Sequence, residues 1–224
     1  MRNAASISVV STYLGQCLEK LLPGIAFTVI PNVVDTFIFK PADRGENKAV
    51  SLIHISLLNH QKNAEDIIRA MSILKEERLQ FQLFIFGPPS DGLVKLAYDL
   101  NLQVEIEFHH EVPQVELAKF VQQSDALILY SRYETFGCVI IEANACGIPV
   151  IVSDIPVFHE NVTEGLNGLF AEPENPRALA TAIIKFLEER HRFNNENIAD
   201  YTRKKYSYDR VGESFQTWYR KIGN

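Results

Sequence analysis

The chain has 224 residues, 46% hydrophobic and 22% charged, with a formal net charge of −6 and three cysteines. That composition is ordinary for a globular α/β domain and suffices to bury a full core. The net negative charge argues against a general nucleic-acid or anionic-membrane surface, and the irregular spacing of Cys17, Cys138 and Cys146 argues against a disulfide framework or a zinc site.

In chain order, "MRNAASISVVSTYL" (1–14) lacks the charged region, apolar stretch and cleavage site of a secretory signal. It reads as a chain that enters in mid-strand, with a partner domain expected before it. No apolar run reaches the length of a membrane span. "FTVIPN" (27–32) and "AVSLIHIS" (49–56) predict strands, with a polar loop over 41–48 between them. Ile67, Ile68, Met71 and Leu74 recur at helical spacing and predict a helix over 63–77. Strands follow at 81–87, 104–110 and 126–131, alternating with helices at 91–100 and 115–124. A buried helix is expected from Phe136 or Gly137 to Ala145, stopped by Cys146-Gly147-Ile148-Pro149. After it come a strand at 149–154, a short helix near 156–163 and a short strand at 167–172. Pro176 marks the start of a helix to 189, and two more helical segments at about 190–205 and 208–222 finish the chain. Such alternation predicts an α/β fold, a Rossmann-like parallel sheet with helices on both faces. Ligands in these sheets sit beyond the carboxyl ends of the strands, near Ser56, Gly87, His110, Ser131 and Asp154.

The stretch "ETFGCVIIE" (134–142) then stands out. A strand, a turn with Gly137 and a helix start place unpaired backbone N–H groups and a positive dipole end at one point, a ready anion site. Glu134 and Glu142 lie eight residues apart, roughly 12 Å along a helix at ~1.5 Å per residue. Glu142 sits in a helix that is apolar on every side, so it needs a partner or must neutralise. The hydroxyls of a bound ribose would serve; so would backbone amides or an arginine. From the pattern alone the structural pairing stands slightly ahead, since most buried acids are structural.

The surrounding run, "SRYETFGCVIIEANACGIPVIVSDIPVFHENVTEGLNGLF" (131–170), closely resembles the signature segment of glycosyltransferase family 4, the glycosyl transferases group 1, whose GT-B fold has two facing Rossmann-like domains. "IPNVVDTFIF" (30–39), "FVQQSDALILYSRYE" (120–134), "NGLF" (167–170) and the closing "YSYDRVGESFQTWYRKI" (206–222) extend the resemblance in the correct order. It implies the C-terminal half of a GT-B fold. Residues 1–10 would be the tail of a missing N-terminal acceptor domain, 11–205 the nucleotide-sugar-binding domain, and 206–224 a closing helix that crosses back.

The resemblance also assigns roles. Glu142 would bond the donor ribose, and Glu134 would sit near the donor sugar and leaving phosphate. The backbone of Thr135, Phe136, Gly137 and Cys138 would cradle sugar and diphosphate. Lys62 would pair with the diphosphate, and the loop from His109 through His110 to Val112 would lie beside the base. The partners implied are a nucleotide-diphosphate sugar, the N-terminal acceptor-binding domain, and a glycan, lipid-linked or small-molecule acceptor, with no nucleic acid. No cofactor and no metal are expected, and the setting would be cytoplasmic, with any peripheral contact at the inner membrane face made through the missing domain. Two departures are visible. The family usually reads Gly-Arg-Leu where this chain has Ser56, Leu57 and Leu58, so an arginine is absent and Ser56 could supply a hydroxyl in its place. Pro156 and Val157 stand where the family often has paired glycines before Glu160.

The expected function is therefore a retaining glycosyltransferase domain, this piece being inactive alone. A non-catalytic or degenerate nucleotide-sugar-binding module is the alternative, and a GT-B epimerase fits less well. A dinucleotide oxidoreductase is disfavoured, because no G-x-G-x-x-G follows a predicted strand. His54 and His60 read as packing or surface residues, His159-Glu160 as a surface pair, Cys138 as a small buried residue, and Phe215, Trp218 and Tyr219 as a core stripe.

Overall fold

The computed structural model describes residue 4, residues 6–43 and residues 49–222. Part of the polar loop predicted at 41–48, and residues 1–3, 5, 223 and 224, lie outside the described residues. Eight strands and eight helices are described: β1 (Ser8–Val9), α1 (Thr12–Leu21), β2 (Thr28–Val29), β3 (Val50–Ile55), α2 (Ala64–Glu76), β4 (Phe81–Phe86), α3 (Asp91–Asp99), β5 (Ile106–His109), α4 (Gln114–Gln123), β6 (Ala126–Leu129), α5 (Cys138–Ala145), β7 (Val150–Ser153), β8 (Gly168–Ala171), α6 (Pro176–Glu189), α7 (Asn195–Tyr206) and α8 (Tyr208–Ile222).

Strands β3 to β8 form one six-stranded parallel sheet in the order β5-β4-β3-β6-β7-β8. Sequence neighbours pair on each side of the centre, Val50 against Phe81 and Leu127 against Val150, while β3 pairs with β6 through Leu52–Ala126 and Ile53–Leu127. Both faces are covered, so β3, β6 and β7 read as continuous apolar runs. Period-two alternation sends Leu52 into a core with α2, α3 and α6, and Ile53 into a second core with α4 and α5. The chain winds outward from β3 to β5 and returns beside β3 as β6. The winding reverses between those two central strands, which opens a crevice at their carboxyl ends.

Four local expectations are corrected. Residues 12–21 form a helix in a stretch with no predicted helix, and its caps explain why the pattern hid it. Ser11 Oγ accepts from Leu14 N at 3.1 Å, but the other cap is Glu160, whose carboxylate accepts from Thr12 N and Tyr13 N at 2.8 Å across almost 150 residues. Glu160 is thus a helix cap instead of a surface residue. The helix expected near 156–163 is only a 3-10 turn over Pro156–Glu160. The aromatic stripe of α8 is not core: Val211 is the one buried residue of that helix, Tyr219 is 62% exposed, and Trp218 Nε1 donates to Ser6 Oγ at 3.0 Å. Strands β1 and β2 pair in parallel as a separate two-stranded sheet joined through α1.

Candidate functional site

A cleft of about 440 Å³ occupies the crevice. Its walls come from four strand ends: Ser56, Leu57 and Lys62 after β3, Gly87 after β4, Glu111 and Val112 after β5, and Glu134 to Val139 after β6. An adjoining cleft of about 310 Å³ shares Asn32 and Cys138 with it and reaches Gln114, Glu142 and Tyr208.

The β6–α5 turn is built to leave a helix start open. Gly137 caps α5 at φ 85°, a left-handed backbone that favours glycine, and a Cβ there would stand 2.9 Å from the Phe158 ring. No side chain caps α5, and Ile140 N already donates to Gly137 O at 3.0 Å, so among the described residues the open amides at the cleft are those of Cys138 and Val139. Asn161 Nδ2 donates to Phe136 O at 2.7 Å, Ser11 Oγ donates to Thr135 O at 2.7 Å, and Tyr206 Oη donates to Asn161 Oδ1 at 2.8 Å. The turn is thus held through its carbonyls from the N-cap of α1 and from α7, which leaves the Cys138 and Val139 amides for a ligand.

Lys62 and Glu134 meet in the same cleft. Lys62 Nζ donates to Glu134 Oε1, and Ser131 Oγ donates to that oxygen at 3.0 Å. Among the described residues Lys62 is the one cationic side chain lining the cleft. Leu57 lines it as well and is 61% exposed, so the position where an arginine was expected presents an apolar side chain to the opening.

Glu142 faces the adjoining cleft one helical turn below the open start of α5. No described residue gives its carboxylate a hydrogen bond or ion pair, and burial raises its pKa. Cys138 is exposed, against the expectation of a small buried residue, and Asn32 Nδ2 lies 3.2 Å from its sulfur. Desolvation first, and the Glu142 carboxyl second, push that thiol upward, so it stays protonated.

Ser56 does not offer its hydroxyl to the cleft. His54 is fully buried, and desolvation pulls its pKa down to about 4, so the ring is neutral. Its Nδ1 lies 2.8 Å from Ile128 O, a pure acceptor, which puts the ring proton on Nδ1. Nε2 must then accept from Ser56 Oγ at 2.8 Å, while the same oxygen accepts from Leu58 N at 3.0 Å. The single hydroxyl proton is committed. His110 is exposed and lies outside the cleft wall, where Glu111 and Val112 stand instead; its neighbour His109 stacks on Phe86 at 4.6 Å between ring centroids. The structure therefore brings Ser56, Lys62, Glu134, Thr135, Phe136, Gly137 and Cys138 into one cleft and Glu142 into its extension. Sequence reasoning missed Asn32, signalled only by its place in "IPNVV", and Arg132, which stands within the quoted "SRYE".

Residues 35–205 match the family model for glycosyl transferases group 1. The chain belongs to that family. Its similarity to an uncharacterized glycosyltransferase of Methanocaldococcus jannaschii is 29% identity, over 75% of this chain and 44% of the relative. The D-inositol 3-phosphate glycosyltransferase of Frankia alni is 28% identical over 73% of this chain and 45% of its own length. The glycogen synthase of Mycobacterium tuberculosis is 28% identical over 84% and 47%. The chain thus spans about half the length of the curated relatives it matches. Among solved structures it resembles sucrose-phosphate synthase from Thermosynechococcus elongatus (TM-score 0.88, 22% identity, 98% of this chain and 59% of that one). It also resembles Anabaena HepE in complex with UDP and glucose (TM-score 0.85, 18% identity, 98% and 64%). The Rossmann-like sheet is the fold expected for one half of a GT-B glycosyltransferase, and glycosyl transfer is the family's kind of reaction. No described helix is long and apolar enough to cross a membrane.

Proposed function

We propose that this chain is the donor-binding half of a retaining glycosyltransferase of the family 4 type, acting on a nucleotide-diphosphate sugar. The observation that carries the reading is the Glu142 carboxylate, unpartnered among the described residues and set one turn below an open helix start that faces Lys62. A nucleoside diphosphate fits that order of groups. The ribose hydroxyls would donate to Glu142, and the phosphates would meet the α5 amides and the Lys62 ammonium. In the reaction the bond between the anomeric carbon and the diphosphate oxygen breaks, the acceptor hydroxyl adds on the same face and passes its proton to the departing diphosphate, and Lys62 with the α5 amides stabilises that leaving group. Glu134 would stand beside the sugar. The charge to be met is phosphate charge, for which a lysine and a helix start suffice without a metal.

HepE holds UDP in a fold like this one, so UDP is the first donor nucleotide to try. The acceptor site would lie in a domain N-terminal to this chain. The separate β1–α1–β2 unit supports a seam nearer residue 30 than residue 11, because a two-stranded parallel sheet needs further strands to be stable. The aromatic face of α8 would return to the same domain. Leu57 supports a second reading, a nucleotide-sugar-binding module with weakened or no transfer activity. Calorimetric titration of UDP, GDP and ADP into the wild type and Glu142→Ala tests the donor reading. One of the three should bind wild type and none the variant; equal affinity in both sinks the assignment. Transfer assayed on the protein together with its acceptor domain separates enzyme from module.

A further inference from the structure

The loops that carry Lys62 and Glu134 are laced together by one arginine that stands outside the cleft wall. Arg132 N donates to Gln61 O at 2.8 Å, its Nη1 donates to His60 O, and its Nε donates to Glu174 Oε1 at 2.9 Å. Gln61 Nε2 donates back to Tyr133 O at 2.9 Å. Residues 60–62 are thereby tied, one after another, to residues 132–134. The arginine itself has a firm base, since the carbonyl of Ser131 accepts from Ser153 Oγ on β7 at 2.6 Å.

The turn so held needs holding. Leu58 and Asn63 bracket it in left-handed backbone at φ 51° and 53°, a conformation that costs energy in residues with a side chain. Lysine adds a flexible four-carbon stem whose ordering costs entropy, whereas the planar fork of arginine suits a carbonyl and a carboxylate at fixed angles. We propose that Arg132 is a positioning residue for the cleft's cation: it clamps the His60–Lys62 turn against Tyr133–Glu134, so that Lys62 meets a phosphate already ordered. The inference rests on reading the cleft as a nucleoside-diphosphate site. With Leu57 in place of an arginine, Lys62 would meet the phosphates without a second cationic side chain from the described cleft wall, so its preorganisation carries more of the affinity.

The test is a double-mutant cycle read by calorimetry on the 224-residue chain. The probe is whichever of UDP, GDP, ADP and CDP binds wild type most tightly, titrated to millimolar concentration so that the weakest corner is measured. Arg132→Ala should weaken binding by about five- to tenfold, and Arg132→Lys by less. Introduced into Lys62→Ala, the same change should cost less than about twofold, because it acts through the lysine. An equal loss in both backgrounds would mean general damage to the fold, and no loss in the wild-type background would mean no role; either overturns the proposal. Should Arg132→Ala not fold, Glu174→Gln removes the guanidinium's carboxylate partner and is read in the same cycle with the same expectations. If the folded wild type binds none of the four nucleotides, the functional reading itself falls and takes this inference with it. Binding without an Arg132 effect defeats this inference alone.

Discussion

Lys62 Nζ donates to Glu134 Oε1 across 72 positions of sequence, and that carboxylate belongs to a residue only 8% exposed. The buried acid and the cleft's cation therefore satisfy each other while the cleft is open, and an incoming phosphate would compete with Glu134 for the ammonium. Lys62→Ala should weaken UDP binding about tenfold or more while leaving the affinity for the parent nucleoside unchanged, since on the proposed reading only the diphosphate would meet the ammonium. The same change strands a buried carboxylate and should lower stability by about 1–3 kcal/mol. Equal losses for nucleoside and diphosphate in paired titrations would remove Lys62 from the phosphate site.

Leu57→Arg is the converse experiment. The side chain at 57 is mostly exposed at the cleft mouth, so an arginine can be accommodated without repacking a core. A charge-assisted bond to the diphosphate should add about 1.5–3 kcal/mol, roughly a tenfold or greater gain in UDP affinity. Unchanged affinity in the variant would show that the diphosphate does not pass Leu57.

On the proposed reading, Glu142 would trade stability against ligand binding. Its folded pKa is raised by burial, so the folded state holds this proton more tightly than the unfolded chain. Stability is then reduced at neutral pH and recovers as pH falls into the carboxylate range of about 4–5. Glu142→Gln should raise the melting temperature at neutral pH, with a gain that shrinks on acidification, and should lose nucleotide affinity. A lower melting temperature for the glutamine variant at neutral pH would mean that the carboxylate is stabilised by a partner.

His54 predicts the opposite slope. Its folded pKa of about 4 lies below the ordinary value of 6.5, so the unfolded chain binds the extra proton first. Stability from the neutral ring is present above pH 6.5 and is lost as pH falls towards 4, about 3 kcal/mol over that window. Urea unfolding of wild type at a series of pH values should show this loss, and His54→Gln should flatten it. Parallel curves for the two proteins would count against a buried neutral histidine.

Legibility divided along physical lines. Strands β3, β6 and β7 could be read because a parallel sheet buried on both faces demands unbroken apolar runs, and α2 and α6 because a half-buried helix repeats its apolar residues every three or four positions. Helix α1 escaped because half of its cap is a carboxylate almost 150 residues away. The α8 stripe was misjudged because helical spacing of Phe215, Trp218 and Tyr219 reports a common face, not whether that face is covered. Ser56 was allotted a spare hydroxyl because its partner, His54, points to it only once β3 is folded against β6.

The sequence by itself determined the alternation of strands and helices, the fold class and the helix start at Gly137, since these follow from spacing, glycine and local apolar pattern. The order of its motifs carried the family. Tertiary structure alone decided that Lys62 meets Glu134, that Glu142 has no partner among the described residues, that Ser56 is occupied and that Arg132 laces two loops together. Those are contacts between strand ends that become neighbours only where the winding reverses, and no local pattern encodes which side chain faces which across that crevice.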